Sequence, residues 1–220
     1  MSISTFKKSA STLIGVLLFL FAMLTSPVSY GASAMDDFSP KEIVAELKGK
    51  LALNDQQAKD LTAALSELGK QLHALIEKQE AAKEEDDPNE FIRAVKQAQA
   101  DYQKKLKGIL NDKQQESYNS LREAAIMDMM KDLAAIKLMD IQDQVGFSDD
   151  QLKKLTPVLA ESMRGLIKIA WKYAGERLRL GQKIRVARQL KEIQHKSERE
   201  VKQILTEAQY KKWEELKKQQ

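Results

Sequence analysis

Apolar residues recur along most of the chain in steps of three and four. They fall at Ala58, Leu61, Leu65, Leu68, Leu72 and Leu75, and again at Phe91, Val95, Ala98, Tyr102, Leu106 and Ile109. Such spacing puts each series on one stripe of an α-helix, which returns to the same face about every 3.6 residues. Shifting the first series by 94 residues gives Leu152, Leu155, Leu159, Ser162, Leu166 and Ile169, with Met163 beside the serine; shifting the second by 95 gives Val186, Leu190, Ile193, Ser197, Val201 and Ile204. The pattern predicts two similar helical units in tandem. Within each unit a break divides the two stripes: EEDDPNE at 84–90 and RLGQK at 179–183, where a proline or glycine turns the helix back.

Four related pentads mark the remaining boundaries: LNDQQ from Leu53, LNDKQ from Leu110, FSDDQ from Phe147 and LTEAQ from Leu205. In each, a short polar side chain (Asn54, Asn111, Ser148, Thr206) is followed three positions later by a glutamine (Gln57, Gln114, Gln151, Gln209). This is the capping-box arrangement, in which the first side chain accepts from a free helix N–H and the glutamine reaches back to the cap. The acid between them sits at the positive end of the helix dipole, and the leading Leu or Phe can staple the helix start, with Leu152 and Tyr210 as partners. The pentads therefore read as helix starts before they read as ligand sites. Their spacing is nearly equal, 57 residues from Leu53 to Leu110 and 58 from Phe147 to Leu205.

Ser39-Pro-Lys-Glu42 is a further capping box and predicts a leader helix. A helix from the second pentad is expected to run through Met127, Met129, Met130, Leu133, Ile136 and Leu138 to a stop at Gly146, and Pro157 is expected to kink the helix it enters. With four prolines, nine glycines and 6% aromatics, the composition agrees with helices rather than sheets. The expected fold is all-α: long antiparallel hairpins in two units, 35–133 and 134–220, forming a bent cradle or an elongated bundle.

The first 34 residues read differently. Lys7 and Lys8 precede the apolar run from Leu13 to Thr25, followed by small residues ending at Ala34. This resembles a secretory signal cut after Ala34, with Gly31 as the alternative; the run is shorter than the roughly 20 residues a membrane span needs. The expected location is the periplasm. The chain has no cysteine, which excludes disulfides, thiolate metal sites and a cysteine nucleophile.

Charge separates the units. Residues 35–145 hold 16 basic and 22 acidic side chains, net −6, while 146–220 hold 18 and 10, net +8. The basic excess is densest from Arg164 to Lys191, where Arg164, Lys168, Lys172, Arg177, Arg179, Lys183, Arg185, Arg188 and Lys191 face a single acid, Glu176. Arg164, Lys168 and Lys172 are four apart and form one helical stripe. Ile167, Ala170, Trp171, Tyr173, Leu178 and Leu180 lie among the charges. Such a surface suits an acidic or unfolding partner, although a solvated helical face carries the same charges. Met127, Met129, Met130 and Met139 could add adaptable apolar surface, but at helical spacing methionines belong first to a core.

No catalytic constellation or cofactor motif is present. His73 and His195 do not coincide under the repeat shift, and there is no nucleophile elbow, phosphate-binding glycine loop or paired-histidine metal motif. His73 and Glu77 are four apart, but two ligands make a poor metal site. Nucleic acid is not an expected partner of an exported chain.

The pentads carry a resemblance. LTEAQ at 205–209 followed by YKKWEELKK, and IVAELKGKLALNDQQ from Ile43, are similar to the Spy/CpxP family of periplasmic proteins named for its LTxxQ motif. Three pentads replace Thr with Asn or Ser and one replaces Leu with Phe, and two motif pairs stand in one chain. The resemblance implies a bent helical cradle that binds unfolding envelope proteins without ATP on a basic and apolar face. It also implies, as alternatives, restraint of the periplasmic domain of an envelope-stress sensor kinase, and zinc binding known in a related branch. Peripheral contact with anionic lipid suits the same basic face. The chain is expected either as a monomer with two pseudo-equivalent halves or as a homodimer.

Overall fold

The computed structural model describes residues 39–80 and 88–219; the expected signal and most of the first predicted break lie outside them. The described residues form helices α1 (Pro40–Lys50), α2 (Asp55–Glu80), α3 (Pro88–Ile109), α4 (Asp112–Val145), α5 (Asp149–Tyr173), α6 (Leu180–Ile204) and α7 (Glu207–Gln219), with no strand among them. The chain divides into two compact units between Ala125 and Ile126, inside α4.

Each helix begins where a local signal fixes its first turn. Ser39 Oγ accepts from Glu42 N at 3.4 Å, with Pro40 at the first helical position of α1. The four pentads start α2, α4, α5 and α7, and in all four both halves of the capping box form. Gln57 N donates to Asn54 Oδ1 at 2.7 Å and Asn54 N to Gln57 Oε1 at 3.1 Å. The corresponding pairs are 2.9 and 3.0 Å at Asn111–Gln114, 3.2 and 3.0 Å at Ser148–Gln151, and 3.3 and 3.0 Å at Thr206–Gln209.

In the first unit α2 packs against α3, and α1 against α2. The pair is antiparallel, since Gln57 at the start of α2 bonds the carbonyl of Ile109 at the end of α3, while Lys78 reaches Glu90 at the other end. Its seam is buried: Leu61, Leu65, Leu68, Leu72 and Ile76 face Val95, Ala98, Tyr102 and Leu106. Tyr102 of α3 and Tyr118 of α4 place their hydroxyls 3.1 Å apart, and burial pushes both phenols above their ordinary pKa.

The second unit repeats this plan with the end of α4 in the place of α1. Its core gathers Leu138, Val145, Phe147, Leu155, Val201 and Leu205, with Leu152, Tyr210 and Trp213 packed against it. Phe147 meets Trp213 with ring centroids 6.1 Å apart. The correspondence reaches single hydrogen bonds, since Thr62 Oγ1 donates to Ala58 O and Thr156 Oγ1 to Leu152 O, each at 2.8 Å. It also reaches the backbone: the left-handed turn before each first pentad falls on Ala52 (φ 49°) and on Gly146 (φ 82°). At Ala52 the turn closes as a Schellman motif, Leu53 N bonding Lys48 O at 3.0 Å and Ala52 N bonding Gly49 O at 3.4 Å.

Two expectations need correction. The second break lies at 174–179 rather than 179–183, because Gly175 (φ 74°) ends α5 and Gln182 caps Arg179 N at 2.9 Å, which places Leu180, Gly181 and Lys183 inside α6. The second unit's seam also departs from the shifted pattern. It passes through Gly165, where an added Cβ would lie 2.9 Å from Ile193 Cδ1, and Leu166 is left exposed. Pro157 lies inside α5, as its position in the sequence leads one to expect.

Candidate binding surface

The pentads do more than cap. Gln57 Nε2 donates to Gln114 Oε1 at 2.8 Å and to Ile109 O at 2.9 Å; Gln114 Nε2 returns to Gln57 Oε1 at 3.2 Å and reaches Leu51 O and Ala52 O. In the second unit Gln151 Nε2 donates to Gln209 Oε1 at 2.8 Å and Ile204 O at 3.1 Å, and Gln209 Nε2 to Gln151 Oε1 at 3.0 Å and Gly146 O at 2.5 Å. Every glutamine thus bonds the carbonyl two residues before its partner's cap. Each amide oxygen accepts from its own cap and from the partner amide, so the donors and acceptors of the pair are used. Glutamate at these positions could cap but could not donate, which accounts for the amide in all four copies. The nearly equal spacings of 57 and 58 residues are the trace of this clasp in the sequence. The leading residues Leu53, Leu110, Phe147 and Leu205 are all buried beneath the clasps. The pentads are occupied in holding each hairpin shut, and a binding surface has to be sought elsewhere.

The clasps anchor the base of each hairpin, but the two hairpins differ beyond it. From Glu161 to Glu200 no residue of the second unit is buried. Ser162 and Ser197 stand where the first hairpin carries Leu68 and Tyr102, Gly165 adds no side chain, and the apolar residues around them are left half covered. The structure places all ten residues singled out in the sequence on this open end. Arg164, Lys168, Trp171 and Lys172 lie on the last half of α5, Arg177 and Arg179 in the turn, and Lys183, Arg185, Arg188 and Lys191 on the first half of α6. Arg164 and Trp171 are half-buried and the other eight are exposed. Arg164 lies 3.5 Å from Glu161, and the Lys172 ammonium stands 5.4 Å from the Tyr173 ring centroid.

Among these charges stand Leu180, 75% exposed, and Ile184, 54% exposed. They are four apart on α6 and share a face. At about 100° per residue, Ala187 and Lys191 continue that line, Lys183 and Arg188 flank it, and Arg185 points about 140° away from Leu180. Ile184 was not singled out in the sequence, although its spacing from Leu180 was the available signal. Of the methionines, Met129 and Met130 are buried, whereas Met139 is 65% exposed.

A polar cluster joins α6 to α7 below this end. Lys217 bonds Glu198 at 2.8 Å and Glu214 at 3.2 Å. The Lys217 hydrogen bond holds the Glu198 carboxyl below the usual range; on Lys217 burial opposes the charge, but the two carboxylates outweigh it and raise its pKa. His73 and Glu77 make the expected pair at 3.4 Å. No group of three or more metal-ligating side chains occurs among the described residues, and no described helix is long and apolar enough to cross a membrane. Compared with protein-family models, with curated proteins and with solved structures, the chain matches none.

Proposed function

We propose that the chain is an exported, ATP-independent chaperone-like protein of the Spy/CpxP kind, acting in the periplasm by holding unfolding envelope proteins on the open end of the α5–α6 hairpin. The observation that carries this reading is the exposure of Leu180 and Ile184 among eight exposed cations on a hairpin with no buried residue from 161 to 200. An unfolding chain offers the complement, acidic segments beside apolar ones. Charge speeds the encounter, and burial of apolar side chains, about 25 cal/mol per Å², supplies the hold. A hairpin end with no buried residue from 161 to 200 suits extended segments, whereas a small molecule takes an enclosed site. The activity is binding, with no catalytic step.

Substituting Arg177→Gln, Arg179→Gln, Arg185→Gln and Arg188→Gln together tests the reading. The expected result is weaker suppression of client aggregation in light scattering and a smaller loss on adding salt, with helicity unchanged by circular dichroism. Unchanged suppression removes the surface from the account. Saturable binding to one folded sensor domain without protection of unrelated clients would instead identify a regulatory module. Co-sedimentation with anionic but not neutral vesicles would identify lipid as the partner.

A further inference from the structure

A second exposed apolar face lies on the same unit, and its charge is opposite. Ile136, 51% exposed, and Met139, 65% exposed, are neighbours on α4. At about 100° per residue, Asp132, Asp140 and Asp143 fall within the same ~100° arc, and Lys131 and Lys137 fall outside it. All three aspartates are exposed. The α6 face described above has the inverse composition: Leu180 and Ile184 with exposed Lys183, Arg188 and Lys191, and no acid on the stretch of helix from Leu180 to Lys191. Among the described residues none of these six charges is in an ion pair. Each face bears two large apolar side chains and three like charges, and both are exposed at once, so neither covers the other within the chain.

We propose that these two faces are the halves of one interface between two copies of this chain, the α6 face of each lying on the α4 face of the other. A two-fold pair makes the contact twice, buries eight large apolar side chains and sets six basic residues against six acidic ones. Two-fold closure also leaves neither face free to extend a filament. Both faces belong to the second unit. The pairing bears on the proposed function, and rests on that reading in this respect only, because a second copy would cover Leu180 and Ile184 and compete with clients for them. The paired form would then be the idle one, and acidic clients would draw copies away from it.

Sedimentation velocity on the full chain tests the pairing with two charge-reversed variants, Lys183→Glu/Arg188→Glu and Asp140→Lys/Asp143→Lys, both at exposed positions. The wild type is expected to sediment as a reversible dimer at low ionic strength and to dissociate as salt rises from about 0.05 to about 0.5 M. Each variant alone is expected to associate at least ~10-fold more weakly, and an equal mixture of the two to recover the dimer, because each reversed face then meets its complement. A monomer under all conditions, association untouched by either reversal, failure of the mixture to recover, or an open series of larger assemblies would overturn the proposal. In light scattering, the Asp140→Lys/Asp143→Lys variant keeps the basic face. If it protects clients better than wild type, pairing regulates the surface. If neither protein protects clients, the chaperone reading fails while the sedimentation result stands.

Discussion

Replacing Gln151 with glutamate separates capping from clasping in one atom. The carboxylate can still accept from Ser148 N, now at 3.0 Å, and glutamate is as good a capping-box partner as glutamine. The two donations from Nε2, to Gln209 Oε1 at 2.8 Å and Ile204 O at 3.1 Å, are lost. Leaving the part-buried Ile204 carbonyl without this donor costs about 1–3 kcal/mol, and Gln209 Oε1, which still accepts from Thr206 N at 3.0 Å, then faces a carboxylate oxygen instead of a donor; the new charge at the helix start returns about 0.3–1 kcal/mol. Allowing for water reaching the partly exposed Ile204 carbonyl, Gln151→Glu is expected to destabilise the second unit by about 2 kcal/mol. Both tryptophans, Trp171 and Trp213, belong to this unit, and Trp213 packs on Phe147 beside the cap. Tryptophan fluorescence during urea unfolding therefore reads the affected unit directly. The deficit should shrink below pH ~4, where a protonated carboxyl regains one donor. A companion Gln209→Glu should couple to it, and Gln57→Glu in the first unit should not. A Gln151→Glu variant within ~0.5 kcal/mol of wild type at pH 7 would refute the reasoning, because capping alone would then account for the glutamine.

The left-handed turns offer a paired check: Gly146→Ala should cost about 1 kcal/mol, whereas Ala52→Gly should be neutral to stabilising by up to ~1 kcal/mol, since only glycine adopts positive φ without a steric cost. Opposite signs in thermal or urea unfolding support the matched geometry, and equal signs contradict it. The Tyr102–Tyr118 pair gives a pH dependence. Burial raises the folded pKa of both phenols above an unfolded value of about 10, so their contribution is present below that pH and lost as pH rises beyond it. The Tyr102→Phe/Tyr118→Phe variant should lose stability less steeply than wild type above pH ~10, and parallel curves would exclude the pair as the cause.

Much of the architecture was legible because it rests on local chemistry. Capping residues, helical spacing and the position of Gly146 each determine a boundary within a few residues of chain. The second break falls before Gly181 and not at it, because the left-handed position goes to Gly175 and the capping glutamine at 182 draws Gly181 into the helix. The glutamine clasps depend on groups more than fifty residues apart, so the pattern showed their spacing without their bonds. Exposure was the least legible property. Leu166, Leu180 and Ile184 satisfy helical spacing as well as any buried leucine, and nothing local in the sequence distinguishes them from residues that face a core. The ten candidate binding residues share one hairpin end because the turn between Arg164 and Lys191 brings sequence neighbours together.

The central claim is that an apolar pair set among cations holds unfolding chains. It is tested most directly by light scattering of several unrelated unfolding proteins, with the wild-type chain compared with Leu180→Ser/Ile184→Ser. The expected result is stoichiometric protection by wild type and at least several-fold weaker protection by the variant at equal helicity, because burying the pair is the main source of hold. Equal protection by the two proteins, or none by wild type, would contradict it.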